Sequence, residues 1–99
     1  ELNLSKFNTQ KMTDMSFAFY KCNGLTTLDV SNFDTKEVTS MKCMFYECNN
    51  ISKLDISNFD TQNVADMGGM FYGCSKLTTI YVSDKFVTTA CQRSGLRRQ

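Results

Sequence analysis

The sequence predicts an α/β solenoid built from 26-residue strand-turn-helix coils, and three observations predict it. The pattern LDISNFDTQNVADMGGMFYGCSK from Leu54 to Lys76 is preceded by LDVSNFDTKEVTSMKCMFYECNN from Leu28 and by LNLSKFNTQKMTDMSFAFYKCNG from Leu2, so the starts fall 26 residues apart. A fourth copy opens with Ile80-Tyr-Val-Ser and then loses the pattern. Within each copy the apolar period switches from alternation to a helical spacing. Repetition at this period is the mark of units that bury their apolar faces on their neighbours. The expected organisation is a solenoid over residues 1–83, three full repeats plus the first strand of a fourth, followed by a divergent C-terminal cap or tail over 84–99.

The elements follow in chain order. Leu54 and Ile56 alternate with Asp55 and Ser57, and Leu28 with Val30, then Ile80 with Val82, take the same phases. This alternation predicts a short half-buried strand in each copy. Asn58-Phe-Asp-Thr61 then predicts a turn, because Asn and Asp side chains bond nearby backbone N–H groups, with Phe7, Phe33 and Phe59 as buried anchors. Met41, Met44, Phe45 and Cys48 recur at i, i+3, i+4 and i+7, as do Met67, Met70, Phe71 and Cys74, which predicts one face of a short helix. Thr13 and Thr39 are the expected N-caps, with Asp14 and Asp66 in the first turn. Gly24, or Asn49-Asn50, ends the helix before Leu25, Ile51 or Leu77 returns the chain to the next strand.

Composition bounds the function. The chain has 99 residues, 41% of them hydrophobic, with a net charge of +1. It reads as one globular domain. No run approaches the roughly 18 apolar residues that would cross a bilayer, and no export signal stands at the start. The chain opens on Glu1 in mid-pattern, which fits a piece of a longer array. Arg93, Arg97 and Arg98 form a basic end, but no Lys or Arg stripe of the kind that holds nucleic acid occurs elsewhere.

The blocks LDVSNFDT, EVTSMKCMFYECNNI and NVADMGGMFYGCSKLTTI resemble the repeat of the BspA-like leucine-rich-repeat surface proteins, a bacterial family that includes the repeat lipoproteins of mycoplasmas. The likeness covers about residues 2–83. It implies a leucine-rich-repeat-like solenoid displayed at the cell surface or outside the cell, in a family associated with adhesion to host matrix proteins and to other cells. It carries over no binding residue, because the repeated motif is scaffold. The pattern fails after Ser83, where Lys85 stands in the Phe position.

Residues that could carry chemistry are few. Cys22, Cys48 and Cys74 share one column and read as buried free thiols, since parallel Cβ vectors disfavour a disulfide between stacked coils. Cys43 points off the apolar face and is the candidate reactive thiol, while Cys91 lies in the divergent tail. With no His and no C-x-x-C pair, no zinc site and no cofactor is expected. Asp29 with Asp55, and Asp34 with Asp60, are carboxylate pairs of the type a glycosidase uses, but identical repeat environments give them similar pKa values, so no enzyme is expected. Asp29, Ser31, Asn32 and Asp34 lack the Gly and distal Glu of a calcium loop and read as Asx turns.

What remains is surface. If Leu28 and Val30 point inward, then Glu1/Thr27/Lys53/Thr79, Asn3/Asp29/Asp55/Tyr81 and Ser5/Ser31/Ser57/Ser83 line up as outward columns. Thr27, Asp29, Lys53, Asp55, Thr79 and Tyr81 form the candidate protein-contact face, with Tyr81, Lys53 and the two Asp residues as its centre. Tyr20, Tyr46 and Tyr72 are expected to pack beside the buried Phe. The expected function is noncatalytic recognition of a host matrix or cell-surface protein, and the alternative is a structural spacer that holds another domain away from the envelope. The sequence does not fix an oligomeric state.

Overall fold

The computed structural model describes residues 2–93. Successive 26-residue repeats lie one on another as coils, and the backbone itself ties them together. The N–H groups of Met15, Phe17, Phe19 and Lys21 donate to the carbonyls of Ser40, Lys42, Met44 and Tyr46 at 2.7–2.9 Å. One coil on, Met41, Cys43, Phe45 and Glu47 donate in the same way to Asp66, Gly68, Met70 and Tyr72. Parallel bridges join Asp14 to Ser40 and Ser40 to Asp66. On another side of the stack, β1 (Lys53–Asp55) pairs in parallel with β2 (Thr79–Tyr81), with Lys53 opposite Thr79 and Asp55 opposite Tyr81. Residues 2–4 and 28–30, expected as strands, are not strands in the structure.

The expected helices are absent. The apolar spacing holds, since Met41, Met44, Phe45 and Cys48 are all buried, but the backbone beneath them is a chain of turns. Alternate N–H groups go to the neighbouring coil, and those between them bond three residues back: Ala18 to Met15, Tyr20 to Phe17 and Cys22 to Phe19. An α-helix would need every N–H directed along its own axis to the fourth residue back. Here half of them point sideways, which is what fastens one coil to the next. Thr13 and Thr39 accordingly cap nothing; the Thr39 N–H and hydroxyl both donate to the Thr13 carbonyl.

Two of the three turns in each coil, those closing as Met15 to Ala18 and Phe19 to Cys22 in the first, put positive φ on their third residue, as type II geometry does. Phe17 and Lys21 in the first coil, Cys43 and Glu47 in the second, and Gly69 and Gly73 in the third all adopt it, at φ from 55° to 76°. Only the third coil has glycine there. Left-handed φ costs an L-residue roughly 1–2 kcal/mol, so the first two coils carry strain that the third does not.

The core is a column of side chains along the stack. Phe19, Phe45 and Phe71 lie nearly parallel, with centroids 5.7 and 5.6 Å apart. Val30, Phe33, Val38, Leu54, Ile56, Phe59 and Val64 complete it. Dedicated side chains lock coil to coil. Asn32 donates from Nδ2 to the carbonyls of Leu4 and Phe7, and Asn58 to those of Val30 and Phe33. Thr35 is buried and donates from Oγ1 to the Asp60 carbonyl while accepting from the Asp60 N–H. Thr9 and Thr61 make the equivalent pairs with Asp34 and Val87.

At the two ends the expectations change. Phe7 is not an anchor but is 59% exposed, because no coil covers its outer side among the described residues. Ile80 and Val82, expected inward, are exposed for the same reason. In the fourth copy the Phe column is filled by Phe86 and not left to Lys85: the turn that closes as Val30 to Phe33 and Ile56 to Phe59 closes there as Ser83 to Phe86. One residue has been inserted, and the Thr clamp records it as a separation of 26 residues to Val87 where Thr35 reaches Asp60 across 25. The tail then forms α1 (Thr89–Arg93), which buries Cys91 against the core.

A Cβ on Gly73 would lie 2.6 Å from Glu47 Cγ. Gly73→Ala is therefore expected to cost about 1–3 kcal/mol, from strain and collision together. Glu47→Gly in the same chain removes the colliding atom and one strained φ, and should restore much of the loss. Urea midpoints at unchanged m-value would measure both, and additive effects of the two substitutions would contradict the contact.

Candidate protein-contact face

The strand pair sets the geometry of the face. Leu54 of β1 is buried while Lys53 and Asp55 on either side of it are exposed, as alternation across a strand requires. Pairing with β2 brings Thr79 beside Lys53 and Tyr81 beside Asp55, and Tyr81 is exposed while Thr79 is half-buried. Thr27 and Asp29 are exposed in the preceding coil. Asp29 lies near enough that its repulsion opposes a little the lowering that the Ser57 hydrogen bonds give Asp55. The structure therefore brings Lys53, Asp55, Thr79 and Tyr81 together on the paired strands, with Asp29 near Asp55.

The carboxylates on the strip are already committed. Asp55 Oδ1 accepts from the Ser57 N–H at 3.0 Å and the Ser57 hydroxyl at 2.7 Å, and Asp29 Oδ1 accepts from the Ser31 N–H at 3.0 Å. Hydrogen bonding to Ser57 and Ser31 holds both acids below the usual carboxylate range. A general acid needs the opposite shift. Asp14, through Ser16, and Asp34, through Lys36 at 2.8 Å, are lowered too. The D-x-S-N-x-D block does not converge on a cation, because Asn32 reaches back to the preceding coil while Asp29 and Asp34 bond forward to Ser31 and Lys36. No group of three His, Cys, Asp or Glu able to hold a metal occurs among the described residues.

A second exposed strip is aromatic. Tyr20, Tyr46 and Tyr72 form the expected column, stacked on one another with centroids 4.9 and 5.2 Å apart. Tyr20 and Tyr72 are 41% and 56% exposed. Phe17 meets Tyr20 edge-on at 5.4 Å, and Lys21 Nζ lies 5.5 Å from the Tyr20 ring centre. Partial burial, with Glu47 next, pushes the Tyr46 phenol up, which keeps it protonated and able to donate.

Cys22, Cys43, Cys48 and Cys74 are free thiols. Cys48 Sγ donates to the Phe19 carbonyl at 3.1 Å, Cys74 to Phe45 at 3.0 Å and Cys91 to Val64 at 3.2 Å. Burial raises the Cys48 thiol to about 11. Cys43 is half-exposed, its Sγ leaning over Gly69. Of the basic end, Arg97 and Arg98 lie outside the described residues.

Two predictions follow from this geometry. Folded-state pKa values below the ordinary carboxylate value make stability fully present above about pH 4 and lost as pH falls through the depressed values. Thermal midpoints should therefore hold between pH 5 and 7 and decline below 4. Asp55→Asn should shrink the acid-side decline while keeping the turn, since Asn3 already accepts from Ser5 in the same way. An undiminished decline in that variant would remove Asp55 from the acid transition. Under iodoacetamide at pH 8, Cys43 should alkylate in the folded chain and Cys48 only after urea unfolding, as peptide mapping would read; equal rates would contradict the burial.

Comparison with known proteins places the chain. Neither the curated proteins nor the solved structures give a match. A family model described as "Mycoplasma protein of unknown function, DUF285" matches residues 1–93, nearly the whole repeat array and α1, and the chain belongs to that family.

Proposed function

We propose that the chain is a noncatalytic, leucine-rich-repeat-like solenoid of the BspA-like kind, displayed on a bacterial surface, that recognises a host matrix protein or another cell. The observation that carries this reading is the outward strip of Lys53, Asp55, Thr79 and Tyr81 on paired strands, continued by Thr27 and Asp29. Asp29 and Asp55 bond only within their own turns, and Lys53 and Tyr81 are exposed, so these side chains face outward and not into the core. Tyr and a mixed set of charges on a firm sheet suit a protein partner. A spacer role is the second reading, and the clamps of Asn32, Asn58, Thr35 and Thr61 favour it, since they stiffen the stack along its length.

The test is binding of the folded chain to immobilised fibronectin and fibrinogen, beside a variant with Lys53, Asp55 and Tyr81 changed to Ala. Saturable binding that weakens with ionic strength and is lost in the variant, with its circular dichroism intact, is the expected result. Binding by neither protein would defeat adhesion to these matrix proteins and leave the spacer.

A further inference from the structure

We propose that the column of Tyr20, Tyr46 and Tyr72 is a site of oxidative cross-linking, at which a peroxidase-type one-electron oxidant joins tyrosines of adjacent coils into dityrosine. The geometry is that of reactants already brought together. Tyr46 stacks on Tyr20 at 4.9 Å and 19°, and on Tyr72 at 5.2 Å and 22°. Backbone hydrogen bonds from Lys21 to the Tyr46 carbonyl and from Glu47 to the Tyr72 carbonyl fix the three positions side by side. Even with a ring on each side Tyr46 stays half-exposed, so the column is open to an oxidant within the stack and not only at its ends. Tyr81 is exposed too, but its strand partner is Asp55 and not a tyrosine.

Two phenols each give the hydrogen atom of their hydroxyl to the oxidant, leaving phenoxyl radicals whose unpaired spin reaches the ring carbons ortho to oxygen. One carbon–carbon bond forms between two such carbons, and their hydrogens return to the oxygens as both rings regain aromaticity. The chain loses two hydrogen atoms in all, and one hydrogen peroxide takes them up to become two waters. Holding the two radicals side by side makes the coupling unimolecular, where separate chains must collide. The stacked rings are not yet edge to edge, and rotation about the side-chain bonds of a half-exposed tyrosine supplies the difference.

The cysteine column does not offer such a link. Cys48 and Cys74 donate to the carbonyls of Phe19 and Phe45 and face the core. Tyrosine carries its reactive carbons at the far end of a long side chain, where parallel Cβ vectors no longer prevent a bond. Each dityrosine closes one 26-residue repeat into a covalent loop and constrains the unfolded chain as a disulfide does.

A haem peroxidase with hydrogen peroxide, applied to the dilute folded chain, tests the proposal. Cys43, whose sulfur lies near the Tyr46 ring over Gly69, is replaced by Ala so that no thiol quenches the radical. Cleavage after lysine puts the three tyrosines on separate peptides, 12–21, 43–53 and 54–76, and mass spectrometry reads which of them are joined. In the monomer fraction, 43–53 is expected to be linked to 12–21 or to 54–76, with the loss of two hydrogens and the appearance of dityrosine fluorescence. Tyr46→Phe, which keeps the stacked ring, is expected to lose both links with unchanged circular dichroism, and Tyr20→Phe to keep only the link to 54–76. A monomer fraction of the parent chain without either link overturns the proposal, as does an intramolecular link that survives Tyr46→Phe.

Discussion

The rest of the structure depends on one constraint: half of the backbone N–H groups in the Met-rich segment point along the stack and not along their own chain. Met15, Phe17, Phe19 and Lys21 spend theirs on the next coil, as do Met41, Cys43, Phe45 and Glu47. A coil built this way cannot satisfy its own backbone, and a buried N–H without a partner costs about as much as a lost hydrogen bond. Coil and neighbour must form together. The same sideways bonds fix the register at one repeat, and register in turn places Phe on Phe and Tyr on Tyr.

Satisfying the remaining polar groups explains the motif residues one by one. The Asn of S-N-F donates to both end carbonyls of a turn in the coil before it, one of them already taken by the turn's own N–H. The Thr of D-T is buried because its hydroxyl both gives to and takes from the coil after it. The Cys at the end of M-F-Y-x-C is small enough for the core and still donates weakly to a carbonyl there, which a Ser would do at greater cost of desolvation and an Ala not at all. No buried side-chain N or O among the described residues lacks a partner. The motif is thus a set of instructions for joining coils.

How much of this was legible follows from what each signal reports. Apolar spacing reports which side chains face inward, and Met41, Met44, Phe45 and Cys48 do. It does not report backbone hydrogen bonding, and a run of type II turns puts residues i, i+3, i+4 and i+7 on one side much as a helix does. Gly69 and Gly73, four apart inside a supposed helix, were the contrary signal, since glycine weakens a helix but fits positive φ. Phe17, Lys21, Cys43 and Glu47 hid it in the other coils by adopting that φ under strain. The exposure of Lys53 and Asp55 on either side of buried Leu54 was legible from strand alternation. The tyrosine column was legible from the repeat, but not how far its rings stand exposed, which depends on the turn geometry.

The division between joining columns and free columns bears on function. Columns that join coils repeat closely from copy to copy: Asn32 with Asn58, Thr9 with Thr35 and Thr61, Cys48 with Cys74. Columns on the strand face do not, since Thr27, Lys53 and Thr79 share one place, and Asp29, Asp55 and Tyr81 another. Asp29 and Asp55 bond only within their own turns, so these positions place little demand on the register between coils. Chemistry that differs along an otherwise repetitive surface distinguishes one segment of it from the next, and a partner can read that difference. The tyrosines sit between the two cases, alike in every copy yet exposed. Their stacking ties neighbouring coils as the buried columns do, while their outer edges stay open to a partner.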